Sequence, residues 1–281
     1  METGNKVQVI FEAADALLDQ TDISNSRLSI LHSGDGLSFS LLNKERNKFV
    51  LLGAYKTDRE EDHRKLFEFV ERFTDLPGDV SYASTDNTFS LVPKVLFDES
   101  NAQKYLSLIS TETPKTVGVK ELDEWVLVYE DSSELTDWVK THLPNVKVLN
   151  GAEVVISYYQ QKFKNTSESL VMCHVMGNRV ELTCIENGVL TLHNVFSFNS
   201  VQDFTYYILS VFEQLKFNPE EIPVYLSGWL TKLSPEVDEL RKYIRNIEWE
   251  ARPKEFEYSY TFNDSAEHSF NRLFQQSLCV L

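Results

Sequence analysis

The first part of the chain contains three short, largely apolar segments that predict strands, and the second of them alternates apolar with small polar residues. Residues 27–33 (RLSILHS) and 37–42 (LSFSLL) flank a Gly-Asp-Gly turn, and residues 48–55 (KFVLLGAY) follow a polar turn. Short apolar runs between turn residues are typical of strands joined in hairpins. From residue 58 the apolar spacing becomes helical, so a helix is predicted to follow. The inner face of this helix consists of Leu66, Phe67, Val70 and Phe73.

The same order of elements returns later in the chain. Three segments have the spacing of strands, namely 170–175 (LVMCHV), 179–185 (RVELTCI) and 189–198 (VLTLHNVFSF). Gly177 and Asn178 suit a two-residue hairpin turn between the first two segments. Ser200 and Asp203 form a box-like helix start, which predicts a helix behind the third strand.

A constant offset relates the two parts of the sequence. When 142 is added to each residue number of the first predicted helix face, Leu66 becomes Ile208 and the face becomes Ile208, Leu209, Phe212 and Leu215. The same offset takes Leu28, Ile30 and His32 onto Leu170, Met172 and His174. Because one offset relates both a strand and a helix, we predict an internal duplication with two cores. One core would hold Leu28, Leu66 and Phe67, and the other Leu170, Ile208 and Leu209.

Further elements complete the predicted order. Strands are predicted at 80–84, 125–129, 146–149, 224–227 and 247–249. Helices are predicted at 100–109, 132–142, 151–163 and 235–245 and near the end of the sequence. The last helix carries an apolar stripe that we expect to pack in the core rather than against a partner, formed by Phe270, Leu273, Phe274, Leu278 and Leu281.

Charge and composition narrow the classes of function. The 27 Lys and Arg residues against 43 Asp and Glu residues give a net charge of −16. Such a surface repels phosphate backbones and anionic lipid headgroups, so nucleic-acid binding is not expected. The acidity serves solubility or offers a face to a basic partner. No apolar run is long enough to span a bilayer and no signal peptide begins the sequence, which predicts a cytoplasmic protein without direct membrane insertion.

The order of three antiparallel strands, a helix and a parallel strand, present twice, resembles the ribonuclease-H-like unit of the actin, sugar-kinase and Hsp70 superfamily. The chain from about residue 23 onward resembles a family of uncharacterised bacterial proteins with an actin-like ATPase fold, a domain of unknown function. It is also similar in plan to the pilus-assembly and secretion-platform members of the superfamily. The resemblance implies an α/β fold of two ribonuclease-H-like domains with mixed sheets flanked by helices. The implied scheme is an N-terminal extension (1–22), the first domain (23–150), a helical connector (151–167) and the second domain (168–281).

In that superfamily, two glycine-rich turns after an Asp hold Mg²⁺ and phosphate, and an adenosine loop completes the site. His32 stands at the first Asp position, before Gly34, Asp35 and Gly36. His174 stands at the second Asp position, before Gly177 and Asn178. Two glycines of the pattern are missing there, and Met176 adds a side chain where the backbone would have to approach the phosphate closely. The adenosine loop keeps Ser227 and Gly228 but continues with the bulky Trp229. A neutral imidazole is a poor ligand for Mg²⁺, which prefers hard oxygen atoms.

Two functional hypotheses follow. The first is a non-catalytic scaffold that binds a protein partner of unknown identity, with no catalytic residue, metal site or cofactor. The second is an atypical ATP-binding protein or weak ATPase, with the nine turn and loop residues as candidate cleft contacts: His32, Gly34, Asp35, Gly36, His174, Gly177, Asn178, Ser227 and Gly228. The two histidines alone make a poor metal site, and hydrogen bonding to a neighbouring loop is the favoured role for them. The oligomeric state stays open, although the net charge of −16 disfavours filament formation.

Overall fold

The computed structural model describes residues 8–18, 21–33, 36–56, 78–86, 88–110, 116–131, 133–143 and 145–279. These residues form two compact units. Unit 1 contains the described parts of Met1–Ser157, Lys254–Asn263 and Arg272–Leu281, and unit 2 contains Tyr158–Pro253 and Asp264–Asn271. The predicted helix face from Leu66 to Phe73 lies outside the described residues, as do Gly34 and Asp35.

A mixed sheet of seven strands forms the centre of unit 1. Its strands are β1 (Gln8–Ala14), β2 (Ser26–Ser33), β3 (Gly36–Asn43), β4 (Lys48–Lys56), β5 (Asp79–Ser84), β9 (Val146–Asn150) and β15 (Glu257–Tyr258). They follow the order β1-β4-β3-β2-β5-β9, with β15 beside β4. Neighbours from β1 to β2 are antiparallel, whereas β5 runs parallel to β2 and β9 parallel to β5. Helix α2 (Glu134–His142) packs on this sheet through Val139.

A smaller antiparallel sheet in unit 1 has the order β6-β8-β7. Its strands are β6 (Phe89–Pro93), β7 (Val117–Leu122) and β8 (Trp125–Glu130), and the short helix α1 (Ala102–Ser107) covers it. Leu106 of α1 packs against Val126 and Val128 of β8 in a separate small core. Only β8 and α1 were predicted from the sequence. Strand β1 was also missed, because residues 1–22 were interpreted as an extension.

Unit 2 contains a five-stranded sheet of order β12-β11-β10-β13-β14. Its strands are β10 (Leu170–Met176), β11 (Arg179–Glu186), β12 (Val189–Ser197), β13 (Val224–Gly228) and β14 (Ile247–Trp249). Helices α4 (Val201–Leu215) and α5 (Pro235–Leu240) pack on the sheet, and α3 (Gly151–Phe163) enters the unit at Tyr158. The predicted cap of α4 is confirmed, since the amide of Asp203 donates to the hydroxyl of Ser200 (3.1 Å). This bond satisfies one of the open amides of the first helical turn.

The five central strands of each unit share one order and one set of directions, as an internal duplication requires. The pairing within the hairpins, however, corrects the predicted offset. Ser33 pairs with Gly36 and Met176 pairs with Arg179, each across a two-residue turn, so the strands match at 143 positions rather than 142. His32 therefore corresponds to Val175, and the predicted equivalence of His32 and His174 is wrong by one residue.

The two cores agree with the corrected offset. Leu28 and Ile30 of β2 pack in the core of unit 1 together with α2. In β10 the residues that pack with α4 and α5 are Val171, Cys173 and Val175, whereas Leu170 is buried outside that core. Ile208 lies in the core of unit 2 and Leu209 packs against it, as predicted.

The last helix, α6 (Asn271–Cys279), belongs to unit 1 from Arg272 onward. Its apolar side includes Phe274, which is fully buried and contacts Phe49 and Tyr258 at ring-centroid distances of 4.7 and 4.9 Å. Its polar side is buried as well. The side-chain amide of Gln276 donates to the carbonyl of Ile30 (3.2 Å), so polar contacts fix the helix on β2.

A buried ion pair connects the residue after β1 to β4. The Lys48 ammonium lies 2.7 Å from the Asp15 carboxylate, and its hydrogen bond lowers the pKa of Asp15 below the ordinary value. A group with a lowered pKa in the folded state stabilises the fold above its unfolded pKa of about 4 and loses that effect as the pH falls through its folded pKa. We expect Asp15→Asn to cost about 1–2 kcal/mol at pH 7 and progressively less below pH 4. Urea unfolding of both proteins between pH 3 and pH 7 measures this difference, with exposed Glu45→Gln as control. A difference that stays constant across this range would contradict the role of the ion pair.

Candidate functional site

The ends of the first strand in each unit determine whether the chain has the carboxylates that nucleotide-bound Mg²⁺ requires. Strand β2 ends in Leu31, His32 and Ser33, and β10 ends in His174, Val175 and Met176. Neither strand end contains Asp or Glu. The absence of carboxylates from these residues is therefore the same whichever offset is used to align the strands. Carboxylate ligands for Mg²⁺ are therefore absent from the described ends of both strands.

His32 is buried at the end of β2 and is held by the neighbouring strand β5. Its Nδ1 lies 3.4 Å from the hydroxyl of Ser84, and its Nε2 lies 3.7 Å from a carboxylate oxygen of Asp86. The ring is stacked on Tyr82 at 6.4 Å between centroids. The backbone is engaged too, because the amide of Thr85 donates to the carbonyl of His32 (3.0 Å). These contacts give His32 a role in joining β2 to β5.

In unit 2, His174 also contacts a serine hydroxyl of the neighbouring parallel strand, although His32 and His174 are not equivalent positions under the offset of 143. Its Nδ1 lies 2.8 Å from the hydroxyl of Ser227, and both side chains are buried. The two residues are direct partners in the parallel pairing of β10 with β13. The structure thus brings the predicted candidates His174 and Ser227 together. Their polar side-chain atoms are within hydrogen-bond distance of each other, which satisfies a buried histidine within the unit.

The backbone after β13 is occupied by internal hydrogen bonds. The amide of Gly228 donates to the carbonyl of His268 (3.0 Å), and the amide of Trp229 donates to the carbonyl of Val175 (2.9 Å). Gly228 has a φ of +85°, and a methyl group at its Cα would overlap the carbonyl oxygen of Val175. A phosphate-binding loop presents its amides to the ligand. The amides of Gly228 and Trp229 point instead at carbonyl groups of the same unit.

The remaining turn candidates that the structure describes are Gly36, Gly177 and Asn178. Gly177 has a φ of +56° in the two-residue turn with Asn178, whose carbonyl accepts from the amide of Phe198 (2.8 Å). Gly36 begins β3 opposite Ser33, whose hydroxyl donates to its carbonyl (3.4 Å). Turns of two residues offer few amides, and a positive φ is the reason that glycine is required at position 177.

One acidic residue near these positions was missed from the sequence. Asp86 lies just beyond β5, and only the parallel pairing of His32 with Ser84 brings its carboxylate near β2. No motif marks it, since it follows an ordinary strand. The described parts of the two strand ends thus contain two buried histidines and one nearby carboxylate, that of Asp86.

Comparison with solved structures identifies the fold. A Bacteroides thetaiotaomicron protein with an actin-like ATPase fold and unknown function superposes with a TM-score of 0.72, at 20% sequence identity, over 90% of this chain and 96% of that one. The type IV pilus biogenesis complex of PilM and PilN gives a TM-score of 0.58 at 11% identity, over 90% of this chain and 96% of the matched one. The chain therefore has an actin-like ATPase fold, as the sequence predicted.

The family follows from a match to residues 15–247, which cover most of the chain. The chain belongs to the family described as protein of unknown function (DUF3822). A search of curated proteins returned no match. Among the helices that the structure describes, none is long and apolar enough to cross a membrane.

Proposed function

We propose that the chain is a non-catalytic scaffold of actin-like ATPase fold that binds a protein partner. The observation that carries this proposal is the absence of Asp and Glu from the described ends of β2 and β10, where His32 and His174 are bonded to serines of the next strand. Both strand ends are thereby used to stabilise the sheets. A fold that has lost these ligands and kept its cores can still present surfaces to other proteins.

A structural relative supports the assignment to partner binding. PilM, which shares the fold, occurs in a complex with PilN. The amides of Gly228 and Trp229 in this chain are used within unit 2, which further argues against a phosphate site at that loop. A cytoplasmic location completes the proposal, and the identity of the protein partner is left open.

Nucleotide binding is the alternative, and Asp86 is the observation in its favour. Its carboxylate lies beside His32 and would be the nearest hard ligand for a cation at the end of β2. A nucleotide bound in unit 1 would then have Gly36 as a candidate contact, whereas one bound in unit 2 would have Gly177, Asn178, Ser227 and Gly228.

Thermal unfolding distinguishes the two functions. A nucleotide that binds the folded chain with a Kd near 50 μM would add about 2.7 kcal/mol at about 5 mM, which is 100 times its Kd. For a chain of this size that corresponds to a rise in Tm of roughly 5–10 °C. We expect Mg-ATP and Mg-ADP to shift the Tm by less than about 1 °C.

Two controls make the measurement specific. Magnesium tripolyphosphate carries the same phosphate chain without a base, so any general effect of anions appears with both compounds. The variant Asp86→Asn removes the candidate carboxylate without changing side-chain size. A rise in Tm of several degrees with Mg-ATP but not with tripolyphosphate, lost in Asp86→Asn, would establish the nucleotide site and refute the scaffold.

A further inference from the structure

Strand β12 forms one edge of the sheet of unit 2, and among the described residues no strand pairs with its outer side. The strand has nine residues, Val189–Ser197, and it contains neither a charged residue nor proline. A long edge strand of this composition is open to pairing with another chain, and natural proteins usually avoid one. No role assigned above involves this edge.

The other edge strands of the described sheets are interrupted in the usual ways. At the opposite edge of the same sheet, β14 has only three residues. Each edge strand of unit 1 contains a charged residue or proline, namely Glu12 in β1, Lys147 in β9, Lys120 and Glu121 in β7 and Pro93 in β6. Within the described part of the chain, β12 therefore differs from every other edge strand.

The backbone of β12 presents hydrogen-bonding groups on its outer side. Residues of an antiparallel pair alternate between those that bond to the neighbouring strand and those that face away from it. The amide of Phe198 donates to the carbonyl of Asn178 (2.8 Å), so Val195 and Ser197, one and three positions earlier, direct their backbone groups away from β11. The outward amide of Val195 donates to the side-chain oxygen of Asn194 (2.9 Å). A carbonyl of an added strand can replace this local acceptor.

Three aromatic rings lie on the α4 side of β12. The ring of Phe196 stacks on that of Tyr207 at 4.7 Å between centroids, and Tyr207 contacts the ring of Tyr206 edge-on at 5.6 Å. Tyr206 is 66% exposed, so one face of this aromatic group is open to solvent. Side chains of an added strand that point toward α4 would meet these rings. Aromatic faces bind cationic side chains.

The charge of unit 2 selects between possible occupants of the edge. The unit contains 14 Asp and Glu residues against nine Lys and Arg residues, a net charge of −5. Next to β12, strand β11 carries Arg179, Glu181 and Glu186, and Asp203 of α4 accepts from the amide of Asn199 (3.0 Å). A second copy of the chain has the same acidic surface and is repelled, whereas a basic segment is attracted.

We propose that β12 receives an extended, basic segment of the protein partner as a sixth strand of the sheet in unit 2. The inference rests on the proposed function and names the mode and the chemistry of partner binding. Backbone hydrogen bonds to the outer side of β12 would provide the contact, as in other cases of strand addition to a sheet edge. Alternate basic side chains on the segment would lie against Tyr206 and Tyr207.

The test follows the backbone amide signals of Val195 and Ser197 by NMR in the full-length chain. The probe is an acetylated, amidated heptapeptide of alternating lysine and valine that begins and ends with lysine. One control peptide has glutamate in place of lysine, and another has every backbone amide methylated, which keeps the charge but removes the amide donors. We expect the basic peptide to move both signals with a Kd on the order of 1 mM and neither control peptide to bind. Signals of β14 should stay in place.

Two pairs of variants locate the contact. Val195→Pro removes the outward amide at a position where an edge strand tolerates proline, and it should weaken binding about tenfold, as read from the Ser197 signal. Val195→Thr keeps the amide and the branched shape, so binding should change by less than about twofold. Tyr206→Ala should weaken binding about two- to fivefold. Tyr243→Ala removes a ring that is 49% exposed near the opposite edge, before β14, and should leave binding unchanged.

Several outcomes would overturn the added strand. These are equal binding of the methylated and unmethylated basic peptides, equal movement of the β14 signals, and no movement of the Val195 and Ser197 signals at about 10 mM basic peptide. Movement of these two signals with protein concentration alone would show that a second copy takes the edge instead. If Val195→Pro does not fold, the methylated peptide and the two tyrosine variants still decide.

These results are separate from a failure of the scaffold proposal. A peptide that does not bind β12, together with an unchanged Tm in Mg-ATP, would overturn the added strand and leave partner binding to another surface. A rise in Tm with Mg-ATP that is lost in Asp86→Asn would refute the scaffold, whatever the peptide does at β12.

Discussion

Replacing Gly228 with alanine is expected to lower the free energy of unfolding by roughly 3 kcal/mol. Two costs add at this position. A residue with a side chain loses about 1–2 kcal/mol in a left-handed conformation, and φ is +85° here. The new methyl group would also overlap the carbonyl oxygen of Val175, a backbone atom held in the pairing of β10 with β13, which adds about 1–3 kcal/mol of strain. Urea unfolding followed by far-ultraviolet circular dichroism measures the loss.

Gly177 provides the matched control. It also has a positive φ, +56°, but it lies in the exposed turn between β10 and β11. Gly177→Ala should therefore cost about 1 kcal/mol, the conformational part alone. Equal losses in the two variants would show that the close approach of Val175 to Gly228 contributes nothing. A small loss for Gly228→Ala would contradict the tight packing of the loop after β13.

Replacing Phe274 with alanine should cost about 3–5 kcal/mol, the largest loss expected from a single side chain in α6. The ring is fully buried and contacts Phe49 of β4 and Tyr258 of β15. Removing it leaves a cavity beneath α6 and takes one partner from each of those rings. Beyond the fall in stability, we expect trypsin to cleave within residues 254–279 faster than in the unchanged chain, because the helix would detach locally.

Tyr260 in the same part of the chain is the control for this substitution. Its side chain is 69% exposed, so Tyr260→Ala should change the stability by less than about 0.5 kcal/mol. A loss below 1 kcal/mol for Phe274→Ala would mean that α6 contributes little to unit 1. Faster cleavage in both variants would show that digestion reflects the tail itself and not the detachment of α6.

The sequence predicted the central strands and the helices of unit 2 well, because turn residues separate them sharply. The helix 151–163 and the cap at Ser200 agree with the structure, and the five central strands of each unit were all predicted. Strand β1 was missed because most of its residues are exposed at a sheet edge, so no regular burial pattern marks it. Strand β7 (Val117–Leu122) contains Gly118 and three exposed residues, which also hides it.

The error of one residue in the offset has a physical cause. A strand with one buried face alternates in hydrophobicity, and that alternation fixes which residues point to the core. Strand β2 is buried on both faces from Ser26 to His32, and β10 is buried from Leu170 to Val175. When both faces are buried, the hydrophobic pattern no longer distinguishes the face that points to the core, so sequence alone leaves the facing of these strands undetermined. The pairing across the hairpin turns was needed to decide it.

The candidate site was predicted in part. The histidines were expected to bond a loop carbonyl, but His32 and His174 lie within hydrogen-bond distance of serine hydroxyls on the neighbouring strands, one of them Ser227, which was already among the candidates. The contacts of Gly228 with His268 and of His32 with Asp86 could not be predicted, since no local pattern records them.

The return of residues 254–263 and 272–279 to unit 1 has a consequence for synthesis on the ribosome. A chain emerges from its first residue onward, and domains commonly fold in that order. Unit 2 is complete once Asn271 has emerged, whereas unit 1 still lacks part of α6 at that moment. The earlier unit therefore finishes last, and Phe49 lacks one of its aromatic partners until Phe274 arrives. A prematurely terminated chain would expose this apolar patch, which is the kind of surface that chaperones and proteases recognise.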